Sequence, residues 1–294
     1  MPSARVATGS QTSAMTAVVA AALPDGAEVV VADGDFSSIV FPFLVQAHRG
    51  VTVRSVPLER LADAVRPGTA LVAWSAVQSA TGTVVDSGAV VAAARAVGTR
   101  TLCDLTQAAG ILPMSVAGID VADVDVSVTH AYKWLCAPRG VAFATFSDAA
   151  LERVRPVQAG WYAGADVWSS CYGPTMQLAD DARRFDVSPA WQAWPGAVAA
   201  LRHLASVDAG SAWRHATGRT DRLADALGTP RSGQAITTFP DPDGSALRAL
   251  SAAGVTASGR AGRLRLAFHL WNDDADVDRV VAVLGAVEGF RPAG

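Results

Sequence analysis

The chain has 294 residues, half of them hydrophobic and 17% charged, which suits a globular protein with a large core and excludes a disordered one. A formal net charge of −3 argues against a duplex-binding surface built on basic patches, and three cysteines without metal-ligand spacing (Cys103, Cys136, Cys171) argue against a disulfide framework or a zinc site. No run approaches the roughly 18 apolar residues of a membrane helix, and the start, MPSARVATGS, has no apolar signal core, so a cytoplasmic protein with neither membrane nor nucleic-acid partners is the expectation.

Along the chain, residues 13–23 read as an Ala-rich helix, followed by an apolar strand at 28–32 and a helix at 38–49. Short buried strands are expected at 51–56 and 70–74, a helix at 88–97, and further strands at 101–103, 124–128 and 141–146. Strands alternating with helices in this way predict an α/β domain with a mostly parallel sheet covered by helices. From 156 to 190 Gly, Pro, Trp and Tyr crowd together as a long loop. A helical stretch follows from 191 to about 227, then strands at 235–239 and 263–268 and a closing helix at 275–287. The expected division is a large domain over 1–190 and a small C-terminal α+β domain over 191–294.

Of the 24 basic residues, 23 are arginine and one, Lys133, is lysine. Where only a positive charge is needed this chain uses Arg. A surviving lysine suggests a site where an amine must lose its proton and attack a carbonyl, which a guanidinium does not do. A chance surface lysine explains the composition equally well, so the surroundings decide.

Those surroundings contain further groups in a telling order. Gly9-Ser10-Gln11-Thr12-Ser13 precedes the first helix, where free amides and small hydroxyls suit a phosphate, although Ser and Thr there also serve as ordinary N-caps. Asp104 follows the strand ending at Cys103, where open α/β sheets bind ligands, and Gln107 lies three residues on; a plain capping role for Asp104 stands beside the functional one. Then comes Thr129-His130-Ala131-Tyr132-Lys133-Trp134-Leu135-Cys136-Ala137-Pro138-Arg139-Gly140, between two predicted strands.

This last segment resembles the lysine motif of class V aminotransferases and their relatives, the kynureninases and cysteine desulfurases, and Asp104 with Gln107 resembles the family's Asp-x-x-Gln. The resemblance extends to Asp35-Phe36-Ser37-Ser38, to Ser75–Gly82 with Ser79, Thr81 and Gly82, to Arg184-Phe185-Asp186-Val187-Ser188-Pro189, and to Leu264-Arg265-Leu266-Ala267-Phe268. It implies a fold-type I transferase with pyridoxal 5′-phosphate as cofactor, held by Lys133 as a Schiff base. It further implies Phe36 stacked on the pyridine ring, Asp104 on its nitrogen, Gln107 and Ser79 on the phenolic oxygen, and Ser10, Gln11, Thr12, His130 and Tyr132 about the phosphate. Ser188 would reach the cofactor of a partner subunit in a homodimer, and Arg265 would bind the α-carboxylate of an amino-acid substrate.

Transamination is the leading expectation. A kynureninase-like or sulfur-amino-acid β-lyase is the alternative, and a non-catalytic protein of the same fold the third reading. Phe36 leans toward kynureninases, and residues 254–272 hold no cysteine of the kind that desulfurases place near the carboxylate-binding Arg. Family members usually carry a segment ahead of the phosphate loop, whereas the sequence here starts almost at that loop, and Ala137 stands where the family often has Gly. Cys103 and Cys136 are expected as buried fillers, and His48, His203 and His215 as surface residues.

Overall fold

The computed structural model describes residues 2–118 and 120–292. The chain divides into two compact units: Met1–Ala76 with Val85–Gly110 and Met114–Ser206, and Val77–Val84 with Ile111–Pro113 and Val207–Gly294.

The first unit begins with β1 (Val6–Gly9) and α1 (Thr12–Ala21), then β2 (Glu28–Ala32), α2 (Ser37–Leu44), β3 (Thr52–Val56), α3 (Leu61–Ala64), β4 (Thr69–Ser75), α4 (Ser87–Val97), β5 (Arg100–Asp104), β6 (Val126–His130), β7 (Ala142–Phe146), α5 (Asp148–Arg153) and α6 (Ala193–Ala205). Its seven strands form one sheet in the order β1-β7-β6-β5-β4-β2-β3. The pairs from β6 through β5, β4 and β2 to β3 are parallel, whereas β7 runs antiparallel to both β6 and β1. The inner strands are Val- and Leu-rich because a parallel sheet covered by helices buries both faces. Met15, Val18 and Val19 of α1 pack with Val29, Val31, Val126 and Val128 of the sheet. Each such side chain contributes about 1.5–3 kcal/mol through burial. Trp74 is fully buried in β4, its indole N–H donating to Ser87 Oγ at 2.9 Å. Ala193 and Ala197 of α6 pack on Ala131, Ala137 and Val141.

The strand register decides where chemistry can happen. Ser75 pairs with Asp104, Asp104 with Val128, and Ala142 with both His130 and Gly9. The ends of β1, β4, β5 and β6 therefore share one edge, the carboxyl edge of the parallel strands, where sheets of this class bind ligands.

The second unit contains α7 (Ala209–Leu227), β8 (Ile236–Pro240), α8 (Ser245–Ala252), β9 (Ser258–Arg260), β10 (Arg263–Ala267) and α9 (Asp274–Gly285), with an antiparallel sheet in the order β8-β10-β9. Phe239, Leu264 and Leu266 of this sheet pack with Leu223, Leu250 and Val280 of the helices. Val77–Val84 belongs here too: Gly82 has φ +83°, and a Cβ at that position would lie 2.4 Å from the Ile236 carbonyl oxygen, so only glycine fits.

Where sequence and structure differ, local reasons are visible. The helix expected over 191–227 is two helices, because Asp208 accepts a hydrogen bond from Ser211 N at 2.6 Å and starts α7 anew. His215 is partly buried, with its Nε2 3.0 Å from the Asn272 carbonyl oxygen, rather than a free surface residue. Cys136 is exposed, not a buried filler. It adopts φ +55°, and the reversal there turns its side chain outward, whereas Cys103 is buried as expected.

Candidate active site

Gly9 ends β1 with Met15 so close that a Cβ at Gly9 would meet its Sδ at 2.4 Å, so the chain can turn directly into α1. Ser10 and Gln11 are exposed, and Gln11, the N-cap residue, makes no side-chain capping bond, which leaves the first amides of α1 available to an anion. Thr12 is buried, its Oγ1 3.3 Å from Thr106 Oγ1, and that second hydroxyl accepts from His130 N at 3.0 Å. Three separate segments thus meet around two hydroxyls: the start of α1, the turn after β5 and the end of β6.

Asp104 closes β5. It is 4% exposed, and the hydrogen-bond partner found for it among the described residues is Thr106, whose N donates to Oδ1 at 2.8 Å. Thr106 follows in a turn and no helix begins there, so Asp104 is not a helix cap. Burial pushes its carboxyl up to about 6, the Thr106 hydrogen bonds opposing and the nearby Asp35 charge adding. A carboxylate held this dry needs a cationic partner to be ionised comfortably. Gln107 is buried three residues on.

Asp35 is a residue whose part sequence reasoning missed. Its carboxylate accepts from Ser75 N at 2.9 Å and Ser75 Oγ at 2.5 Å, and from Phe36 N at 2.8 Å. These bonds staple the turn after β2 to the carboxyl end of β4 and leave Phe36 at that edge, 44% exposed. Burial raises the Asp35 carboxyl, with the Ser75 bonds opposing. The signal in the sequence is an Asp immediately before the aromatic residue of Asp35-Phe36-Ser37-Ser38.

Lys133 stands in the loop leaving β6. Ala131 N donates to Val141 O, Ala137 N to Ala131 O and Cys136 N to Lys133 O at 2.9–3.0 Å, closing the loop on itself. Lys133 Nζ lies 4.8 Å from the centre of the Tyr132 ring, Arg139 Cζ lies 4.3 Å from it, and His130 meets the ring edge-on at 4.3 Å. Two cations around one ring make this corner attractive to an anion. Burial first, and then the Arg139 and Lys133 charges, hold His130 below its usual range; its Nε2 is buried and has no hydrogen-bond partner among the described residues.

Ser188 is exposed and outside these hydrogen bonds. Its neighbours are fixed: Asp186 accepts from Thr8 N at 2.7 Å, and Phe185 stacks on Phe146 with centroids 4.2 Å apart. Within the second unit, Arg265 is half-buried on β10 with Nη1 3.4 Å from Ser258 Oγ, and Ser79 lies in the Val77–Val84 loop. No cluster of His, Cys, Asp and Glu among the described residues could hold a metal ion, and none of their helices is long and apolar enough to cross a membrane.

The description that matches this chain is Aminotransferase class-V, over residues 5–244. The chain belongs to the class V aminotransferase family. Among curated relatives it is 30% identical over 225 residues to a kynureninase of Deinococcus radiodurans, a match covering 74% of this chain and 53% of that one. It is 29% identical over 152 residues to an isopenicillin N epimerase of Amycolatopsis lactamdurans, covering 47% and 37% of the two chains. The chain spans about half the length of the kynureninase it matches. Among solved structures, the complex of a cystine C–S lyase with its reaction product cysteine persulfide superposes with a TM-score of 0.84 at 20% identity, covering 96% of this chain and 81% of that one. The cysteine desulfurase CsdA of Escherichia coli gives 0.82 at 19%, covering 97% and 79%. The fold is that of the fold-type I enzymes, a mostly parallel central sheet flanked by helices, and the family's cofactor is pyridoxal 5′-phosphate.

The class V residues present fit that cofactor. A phosphate suits the uncapped start of α1, a protonated ring nitrogen suits the dry Asp104 carboxylate, and the unpartnered His130 Nε2 lacks a polar neighbour that such a group supplies.

Proposed function

We propose that this chain holds pyridoxal 5′-phosphate through Lys133 and converts an amino acid at its α-carbon. The observation that carries the reading is that its single lysine lies in the loop leaving β6, at the sheet edge that also carries the buried Asp104 carboxylate. When bound, the cofactor supplies an electron sink for the pair left behind by a departing α-proton.

The chain's own residues then divide the work. Ser10, Gln11, Thr12 and the first amides of α1 take the phosphate, with His130 and Tyr132 beside it. His130, held below its ordinary range by burial and by the Arg139 and Lys133 charges, is biased toward its neutral form beside those two cations. Asp104 keeps a proton on the ring nitrogen, and Thr106 fixes the carboxylate's orientation. Phe36, set by the Asp35–Ser75 staple, covers the ring, and Gln107 and Ser79 donate to the phenolic oxygen. Lys133 would hold the cofactor through its side-chain amine and would move the substrate's α-proton as general base. Arg265 clamps the substrate carboxylate as a planar, bidentate donor. Ser188 reaches the phosphate bound by a second copy, so the working unit is a homodimer. Functionally the chain divides into a cofactor-binding part through 190 and a small C-terminal part from 191.

Transamination is the first reading, and membership of the class V aminotransferase family supports it. Cleavage on the substrate's β-side, as in kynureninases, is the second reading, supported by the 30% identity to one of them and by Phe36. Incubation of reconstituted protein with an amino-acid panel, with and without a keto-acid acceptor, tests both. Amino transfer that needs the acceptor supports the first and acceptor-independent cleavage the second. A cofactor spectrum that no amino acid perturbs overturns the enzymatic reading and leaves a non-catalytic binder.

A further inference from the structure

We propose a second anion site, separate from the cofactor cradle, in a cleft at the amino edge of the parallel strands, where Arg100, Arg153 and Arg155 receive a small molecule bearing two or more phosphate or carboxylate groups. The cleft has a volume of about 680 Å³, is walled by the carboxyl end of α1, and is lined by four arginines against a single carboxylate, Asp25. Arg100 opens β5 and Asp104 closes it, so the two sites lie roughly 13 Å apart along that strand.

Structural duties account for one of these arginines. Arg49 pairs with Asp25 at 2.9 Å and donates to the Ala21 and Leu23 carbonyls at the end of α1, satisfying the helix terminus. The side chains of Arg100, Arg153 and Arg155 make no ion pair or hydrogen bond among the described residues. Asp125, which with Asp123 lines an adjoining cleft beside Arg100 and Arg153, attracts Arg100 electrostatically but makes no ion pair with it; its carboxylate accepts from Thr101 N and Oγ1 at 2.9 and 3.0 Å. Burial, and then the repulsion of Arg153, hold Arg100 below the usual arginine range, with Asp125 opposing.

The chain's preference for arginine does not explain this cluster. Around it arginines are neutralised: Arg54 and Arg66 both bond Glu28, whose carboxyl they hold at about 2, and Arg95 pairs with Asp123 at 3.2 Å. In a chain of net charge −3, three arginines without an ion pair among the described residues concentrate positive charge on one cleft, where an anion would be attracted. Guanidinium forks match phosphate and carboxylate oxygens two at a time, and three of them call for a multivalent ligand.

Titration calorimetry of the cofactor-loaded full chain with inorganic pyrophosphate, in about 0.1 M NaCl to screen weak surface attraction, tests the site. Arg153 and Arg155 are exposed, so Arg153→Gln/Arg155→Gln should fold normally, and its unliganded melting temperature should equal or exceed that of the parent. Binding to the parent, weakened about ten-fold or more in this double variant and in Arg100→Gln, with the cofactor absorbance unchanged at saturation, supports the proposal. A citrate arm separates phosphate from carboxylate ligands, and either anion lost in the variants counts in favour. No binding to the parent, or equal binding to the variants, overturns it.

Discussion

Replacing Asp104 by Asn should stabilise the cofactor-free protein at neutral pH while weakening its hold on the cofactor. The carboxyl is 4% exposed, and burial lifts it from an ordinary 3.8 to about 6. At roughly 1.36 kcal/mol per unit, its ionisation costs the folded state about 3 kcal/mol. The sign follows from proton counting: between pH 4 and 6 the folded chain keeps a proton that the unfolded chain has released, so stability is highest below 4 and is lost as pH rises through 6. The amide removes the charge and keeps an oxygen that can accept from Thr106 N. Urea unfolding of both proteins without cofactor at pH 4.5 and 8 isolates the effect of this carboxyl and its coupling to Asp35, because groups away from the pair titrate alike in the two. The stability difference should move by about 2 kcal/mol in favour of the Asp104→Asn variant as pH rises, and cofactor affinity should fall in the same variant. A difference constant with pH, or a variant less stable at pH 8, would refute the claim that a dry, poorly compensated carboxylate awaits a cation.

Other outcomes are equally specific. Gly82→Ala should lower the melting temperature, costing about 2 kcal/mol or more, since a Cβ would collide with the Ile236 carbonyl at a left-handed φ; an unchanged melting point contradicts the packing of that loop. Arg265→Ala should weaken amino-acid binding by about 1.5–3 kcal/mol with cofactor affinity unchanged, and spectral titration separates the two. Asp35→Ala frees the turn that presents Phe36, so it should lower cofactor affinity in fluorescence titration, whereas Asp33→Ala, on the exposed side of the same turn, should not.

Much of the fold was legible because the parallel strands are continuous apolar runs: β2 appears at the residues expected, and β3, β4 and β5 within one or two. The missed β1 is four residues long, Val-Ala-Thr-Gly, and its place depends on pairing with β7, about 135 residues away, which no local pattern encodes. The missed α8 is started by Asp241, which accepts from Ala246 N and Leu247 N from beyond the usual capping distance in sequence. At the site, Lys133 stood out as the single lysine of the chain, whereas Asp104 and Thr12 each read equally well as ordinary caps until the family resemblance set them in order. Thr106 and Asp35 did not stand out: their importance lies in bonds to segments distant in the chain, His130 for one and Ser75 for the other.

Borohydride reduction of the protein reconstituted with pyridoxal 5′-phosphate, followed by peptide mass spectrometry, tests the central claim most directly. The account expects a single phosphopyridoxyl adduct on the peptide containing Lys133, absent from Lys133→Arg; an unmodified Lys133 peptide from protein that has taken up the cofactor would contradict it.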